Sequence, residues 1–259
     1  MRWNDRQRAM LRAMGIRLFE PAAVTQEDDG LPAQAPRPSP AVVARTARPA
    51  VAATVAAPAV PRQAARPDVA TLDWNALRDA VAACRACALC ESRQQTVFGV
   101  GHRHAHWMIV GEAPGEQEDR QGEPFVGPAG QLLDNMLRAI GLTRDEAPPE
   151  RQVFIANTLK CRPPKNRNPD PAETAQCAPF LERQIALVSP RIILAMGRFA
   201  AQALLASDEP LGKLRGRVHS YRGVPVVVTY HPAYLLRSLA DKARTWEDLC
   251  LAASIVQAG

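Results

Sequence analysis

The sequence predicts an α/β domain, a three-layer α/β/α sandwich on a central four-stranded parallel sheet, preceded by a disordered N-terminal segment. Three observations lead there. Four short runs rich in Val and Ile, at Trp107–Val110, Val153–Ala156, Arg191–Ala195 and Pro225–Thr229, alternate with stretches of helical period. Such continuous apolar runs separated by helices describe strands covered on both faces. The composition shifts near residue 70, with nine of the 23 prolines lying between residues 21 and 70. A glycine- and proline-rich stretch, Gly111–Gly130, follows the first apolar run and precedes a helical pattern. That is where open parallel sheets bind ligands.

Taken in order, residues 1–20 read as a short basic amphipathic helix. Trp3, Met10, Leu11, Met14 and Leu18 recur at helical spacing among Arg2, Arg6, Arg8, Arg12 and Arg17. A helix this short without a core to lie on is marginal in water, so residues 1–20 read as a docking peptide for a partner or for DNA, or as a frayed tail. Residues 21–70 combine Pro with Ala, Val, Arg and Gln and read as a disordered linker. The folded domain is expected over 71–259. Its first helix carries Leu72, Leu77 and Val81, with Asp73 or Thr71 as cap. Further helices are expected at Gln131–Ile140, Pro171–Leu187, Arg198–Leu205 and Thr245–Val256.

The 259 residues are 47% hydrophobic, enough for a core, and the net charge of +6 favours an anionic partner such as nucleic acid. No apolar run approaches the roughly 18 residues of a membrane span, and the first 20 residues lack the apolar centre of a signal peptide. A cytoplasmic, nucleoid-associated monomer that does not engage a membrane is expected. In a reducing compartment the six cysteines point to metal or catalysis before disulfides.

Cys84, Cys87 and Cys90 form two overlapping C-x2-C pairs before the first strand. Cys161 follows the second strand, and fifteen residues separate it from Cys177. One C-x2-C pair plus two distant thiolates makes a four-sulfur set that suits zinc or an iron–sulfur cluster. Cys250, in the last helical pattern, reads as a small buried apolar residue. His102, His104 and His106 read as a solvated turn before the first strand. Gly111–Gly130 holds five Gly, three Pro and five acids, and no Lys-Ser/Thr follows its glycines, so it is not a phosphate loop. Two basic trios, Arg162, Lys165 and Arg167 after Cys161 and Lys213, Arg215 and Arg217, lie on Pro- or Gly-containing loops suited to phosphate contact.

GEAPGEQED at 111–119, PFVGPAGQLLD at 124–134, NTLKCRPP at 157–164 and HPAYLLR at 231–237 together resemble the family 4 uracil-DNA glycosylases. CRACALCESRQQTVFGVG at 84–101 fits the same family's N-terminal cysteine pair. The resemblance runs from about residue 80 to 250 and does not reach the first 70 residues. It implies the uracil-DNA glycosylase fold, hydrolysis of the N-glycosidic bond of deoxyuridine in single- or double-stranded DNA, and base-excision repair. It also implies a structural 4Fe-4S cluster on Cys84, Cys87, Cys161 and Cys177. The choice of Cys84–Cys87 over Cys87–Cys90 rests on the resemblance alone.

The resemblance further implies that Phe125 stacks on an extruded base and Asn157 reads its edge, with Glu118 set against the 5-methyl of thymine. His231 would donate to O2 of the departing uracil, Leu235 would be the wedge filling the vacated stack, and Arg237 would lie near the backbone. Related families place an Asp in the first motif to hold the attacking water. Here Ala113 stands in that part of the substrate site; Glu112 is the candidate, through its carboxylate or by orienting neighbours, with backbone and leaving-group stabilisation alone as the alternative. Two other readings compete: a protein that traps uracil-DNA without turnover, and a zinc-stabilised nucleic-acid-binding module. The stretch 162–170 contains no His, which argues against the trapping mechanism of a related family.

Overall fold

The computed structural model describes residues 68–258. The expected helix over residues 1–20 and the linker up to residue 67 lie outside the described residues. The carboxylate of Asp68 accepts from Ala70 N (3.1 Å) and opens a single 3-10 turn, Val69–Thr71. Asp73 then caps α1 (Trp74–Ala82), its Oδ1 accepting from Ala76 N at 2.8 Å. After α2 (Leu89–Ser92) come β1 (Val100–Gly101), β2 (Trp107–Gly111), α3 (Glu116–Gln121), α4 (Pro128–Ala139) and β3 (Phe154–Asn157). The second half holds α5 (Pro171–Val188), β4 (Ile192–Met196), α6 (Arg198–Leu205), α7 (Leu211–Leu214), β5 (Val218–Tyr221), β6 (Val224–Thr229), α8 (Pro232–Leu235) and α9 (Asp241–Ala258).

The strands form one sheet in the order β1-β3-β2-β4-β6-β5. Its centre, β3-β2-β4-β6, is the expected four-stranded parallel sheet. Every residue of β2, β3 and β4 is buried, as a strand covered on both faces requires. Alternate side chains feed two cores. On one face Ile109, Ile155, Leu194 and Val227 meet Leu133, Met136 and Leu137 of α4 and Trp246 and Leu249 of α9. On the other Met108, Val110, Ala156, Ile193, Val226 and Val228 meet α1, α5 and α6 through Leu77, Val81, Phe180, Ile185 and Leu204. This is the three-layer sandwich.

The sheet has six strands where four were expected, because an antiparallel strand closes each edge. β1 pairs with β3, and β5 with β6. β1 is two residues long, too short to show a period. β5 alternates exposed and half-buried residues, as an edge strand covered on one side does. It joins β6 through Arg222-Gly223, both at positive φ (49° and 86°), the two-residue hairpin geometry that matches strand twist. Helix α3 was also unexpected, lying inside the stretch read as a loop. Among the described residues no helix is long and apolar enough to cross a membrane.

The parallel register aligns the strand ends that matter. Gly111 pairs with Asn157, and Met196 with Thr229. The loops after β2, β3, β4 and β6 therefore emerge along one edge of the sheet.

Candidate active site

A cleft of about 460 Å³ opens at that edge, within the size range of small-molecule sites. Its lining includes Glu112, Ala113, Glu118, Phe125, Asn157, Arg167, His231, Tyr234 and Arg237. Two loops and the end of β3 thus bring together the aromatic ring, the amide and the imidazole that the sequence singled out.

Phe125 sits at φ 56°, a left-handed conformation uncommon for a bulky residue, so the surrounding loop must hold it there. Glu118 does much of that holding. Its Oε1 accepts from Val126 N (3.0 Å) and Gly127 N (3.3 Å), and its Oε2 from Gly115 N (3.0 Å). The carboxylate clasps both ends of the loop, a second role beside its place in the cleft wall. Gly130 lets α4 start against this loop, since any Cβ there would strike the Phe125 carbonyl.

Gly111 brings backbone close to two of these side chains. A Cβ at Gly111 would lie 2.6 Å from Phe125 Cζ and collide with Asn157 Oδ1. Gly111→Ala is expected to displace both groups and slow catalysis roughly 100-fold, the cost of misplacing reacting parts by about an ångström. Single-turnover kinetics beside a thermal melt check this; an unchanged rate would show that the cleft tolerates the methyl.

Asn157 ends β3, is 2% exposed, and its Oδ1 has no hydrogen-bond partner among the described residues. A buried amide oxygen left unpaired costs free energy and marks a place where a donor is expected. The Phe125 ring stacks on the His231 ring, with centroids 5.4 Å apart and planes 27° from parallel. His231 is the N-cap of α8, and its Nδ1 accepts from Ala233 N at 3.2 Å. That bond assigns the proton of the neutral ring to Nε2. Burial pushes the His231 pKa down to about 4, with Glu118 opposing the shift and Arg237 adding to it. Near neutrality the residue is therefore an uncharged donor. Burial also raises the Glu112 carboxyl above its ordinary value, offset in part by Arg198.

A second cavity is lined by Cys84, Cys87, Cys90, Cys161 and Cys177. The Arg93 guanidinium donates to Cys161 Sγ (3.0 Å) and to the carbonyls of Cys84 (2.8 Å) and Ala82 (3.2 Å). Lys160 N donates to Cys177 Sγ (3.3 Å). Burial pushes the Cys177 thiol up to about 12 and raises Cys161 and Cys87 above the ordinary thiol value. Among the described residues no three His, Cys, Asp or Glu side chains close on a point as one metal ion needs. Cys250 is exposed, not buried as expected, because it falls on the outer side of α9.

Several basic residues lie elsewhere than expected. Arg215 is committed to the interior: its Nε donates to the fully buried Asp248 carboxylate (3.0 Å), and its guanidinium covers the Tyr230 ring at 5.1 Å. A carboxylate without solvent needs this counter-charge, so Arg215 is withdrawn from DNA contact. Arg167 is bound to both oxygens of Glu173 (2.9 and 2.6 Å), holding that carboxyl below its usual range. Arg162 reaches Asn166 (2.8 Å), and Arg217 reaches Glu209 (2.9 Å). Lys165, Lys213 and Arg237 are exposed.

The expected wedge is also corrected. Leu235 is 0% exposed and belongs to the core beside Leu133 and Trp246, because it turns inward on the short helix α8. Its neighbour Leu236 is 44% exposed. Leu235→Ala is expected to cost about 2–5 kcal/mol of stability, and Leu236→Ala within about 0.5 kcal/mol. Urea unfolding separates them; equal losses would contradict the assignment of faces.

Tyr234, Arg93 and Lys160 were missed as parts of the two sites. Tyr234 stood in a motif already singled out, while nothing local marks Arg93 or Lys160.

Residues 98–250 match the uracil DNA glycosylase superfamily. The chain is 42% identical over 164 residues to a type-4 uracil-DNA glycosylase of Archaeoglobus fulgidus, covering 60% of this chain and 79% of that protein. It is 40% identical over 188 residues to that of Pyrobaculum aerophilum, covering 70% and 93%. Against the type-4 enzyme of Thermotoga maritima it is 39% identical over 183 residues, covering 69% and 92%. With such coverage joined to this cleft, the chain belongs to the type-4 uracil-DNA glycosylases.

Proposed function

We propose that this protein excises uracil from DNA by hydrolysing the N-glycosidic bond of deoxyuridine, leaving an abasic site for base-excision repair. The observation that carries the reading is the meeting of Phe125, Asn157 and His231 on one cleft, with the buried Asn157 Oδ1 unpaired.

The nucleotide leaves the stack, at a cost of about a few kcal/mol, and its base enters the cleft. Phe125 covers one face. Asn157 Oδ1 accepts from N3–H while its amide NH2 donates to O4; cytosine presents the reverse pattern and would leave buried groups unpaired. The bond between N1 and C1′ then breaks, and its electron pair leaves with the base as charge gathers on O2. His231 Nε2–H donates to that oxygen, a donor aimed at developing charge. Water attacks C1′ and gives up its proton. Glu112 accepts it, since burial makes this carboxylate a better base than an exposed one. Ala113 leaves room for the water but offers no group to hold it. Glu118 narrows the wall against a 5-methyl while it fixes the Phe125 loop.

DNA contact is carried by Lys165, Lys213 and Arg237, with Arg162 and Arg167 beside the cleft. Leu236, not Leu235, fills the vacated stack, supported by its exposure next to Tyr234. Cys84, Cys87, Cys161 and Cys177 hold a 4Fe-4S cluster. Thiols arranged around a cavity, with Arg93 and a backbone N–H turned to their sulfurs, suit a cluster better than zinc. When bound, the cluster would cross-link the segment before β1, the loop after β3 and helix α5, and would supply no step of bond cleavage. Residues 1–20 serve to recruit a repair or replication partner.

The test is incubation with a uracil-containing oligonucleotide followed by alkali. Strand cleavage at the uracil is expected, and no cleavage by the wild type rejects the activity. A denaturation-resistant protein–DNA adduct would instead favour the trapping reading. Iron and sulfide analysis of a brown anaerobic preparation decides between cluster and zinc.

A further inference from the structure

The side chain of Lys160 is 1% exposed. Its Nζ donates to the Asn157 carbonyl (2.7 Å) and to Gln184 Oε1 (2.7 Å). Gln184 is fully buried as well and passes its own Nε2–H to the Phe98 carbonyl (2.8 Å). Among the described residues no carboxylate pairs with this ammonium. A buried cation contacting only neutral acceptors is costly, and an apolar side chain of similar size would often serve stability as well or better. The charge therefore calls for another account.

Its surroundings supply one. The backbone of Lys160 borders the cysteine cavity, its N–H donating to Cys177 Sγ (3.3 Å). Its side chain turns back three residues and grips the carbonyl of the residue that reads the base. The same turn is pinned from the other side, where Thr158 N donates to the Gly111 carbonyl (3.0 Å) and Leu159 N to that of Glu112 (3.1 Å). The peptide bearing the Asn157 side chain is thus held between the β2 loop above and the ammonium below. With Oδ1 unpaired, the described side chains do not orient this amide through that oxygen, so the backbone grip sets where it points.

We infer that Lys160 is a positioning residue for uracil recognition, acting through the main chain of Asn157. The inference rests on the proposed uracil excision. Lys160 does not touch the base; it decides the angle at which the amide meets N3 and O4.

The experiment compares wild-type, Lys160→Met, Asn157→Ala and double-variant holoenzymes. It reads single-turnover cleavage of a uracil oligonucleotide, inhibition by free uracil, affinity for abasic-product DNA, and visible absorbance per protein. Lys160→Met is expected to weaken uracil inhibition about tenfold and to slow cleavage at least as much, with abasic-DNA affinity and absorbance retained. In the Asn157→Ala background the same change should add nothing beyond about twofold, because the group it positions is gone. Unchanged uracil inhibition in Lys160→Met would overturn the inference, as would an equal effect with and without Asn157, or a parallel loss of abasic-DNA affinity. If Lys160→Met loses its absorbance, Gln184→Leu is read by the same criteria, since it removes the second hydrogen bond that holds Nζ beside the Asn157 carbonyl. Failure of the wild type to cleave would sink the proposed function itself; cleavage with an indifferent Lys160 sinks only this role.

Discussion

His231→Ala is expected to slow single-turnover excision by about 100- to 1,000-fold, the loss seen when one donor to a developing oxyanion is removed. Substrate DNA affinity should change far less, because phosphate contacts dominate it. His231→Gln, which keeps a donor of similar reach, should recover part of the rate. The pH profile provides the sharper check. Burial holds the imidazole pKa at about 4, against an ordinary 6.5. Between those values the ring is neutral in the folded protein and protonated in the unfolded chain. Stability from this group is therefore complete above pH 6.5 and declines as pH falls toward 4. Protonation would also set Nδ1–H against the Ala233 N–H that it now accepts. The His231 inflection in the acid limb of kcat/KM should lie well below 6.5, while the Glu112 carboxyl titrates above its ordinary value. An inflection near 6.5 that disappears in His231→Gln would show a normally titrating imidazole and defeat the neutral-donor account.

Asn157→Ala is the second large effect. It removes the acceptor for N3–H of the enclosed base, which by itself costs about 1–3 kcal/mol. Orientation of the base is lost with it, so excision should slow by at least about 100-fold. The loss should fall on uracil specificity: free uracil ceases to inhibit, while abasic DNA binds as before. The preference for uracil over cytosine should shrink, because the remaining wall of Phe125, Glu118 and His231 does not read N3. Undiminished discrimination in Asn157→Ala would move recognition to another group.

The two predictions depend differently on what was visible in the chain. Asn157 and His231 were marked by their motifs, and each lies at or just beyond the end of an apolar run that proved to be a strand. That placement needs only local information, since Val- and Ile-rich runs between helical periods announce parallel strands, and ligands gather where those strands end. Asp73 could be named as a cap for the same reason: a side chain that satisfies a helix N-terminus does so within three residues. Edge strands β1 and β5 escaped because a two-residue strand shows no period and the Arg-Gly turn is a weak hairpin signal.

Chemistry at the level of residue type was determined by the sequence itself: five thiols in two groups, an aromatic, an amide and an imidazole in ordered motifs, and the α/β frame beneath them. The tertiary structure alone decided which of two adjacent leucines is buried, that Arg215 answers Asp248 instead of a phosphate, and that Lys160 grips the Asn157 carbonyl. The physical reason is one of range. Periodicity and capping act over a few residues and are written locally. Burial and the pairing of buried charges are settled by segments up to about a hundred residues apart, and become definite only when both cores have closed.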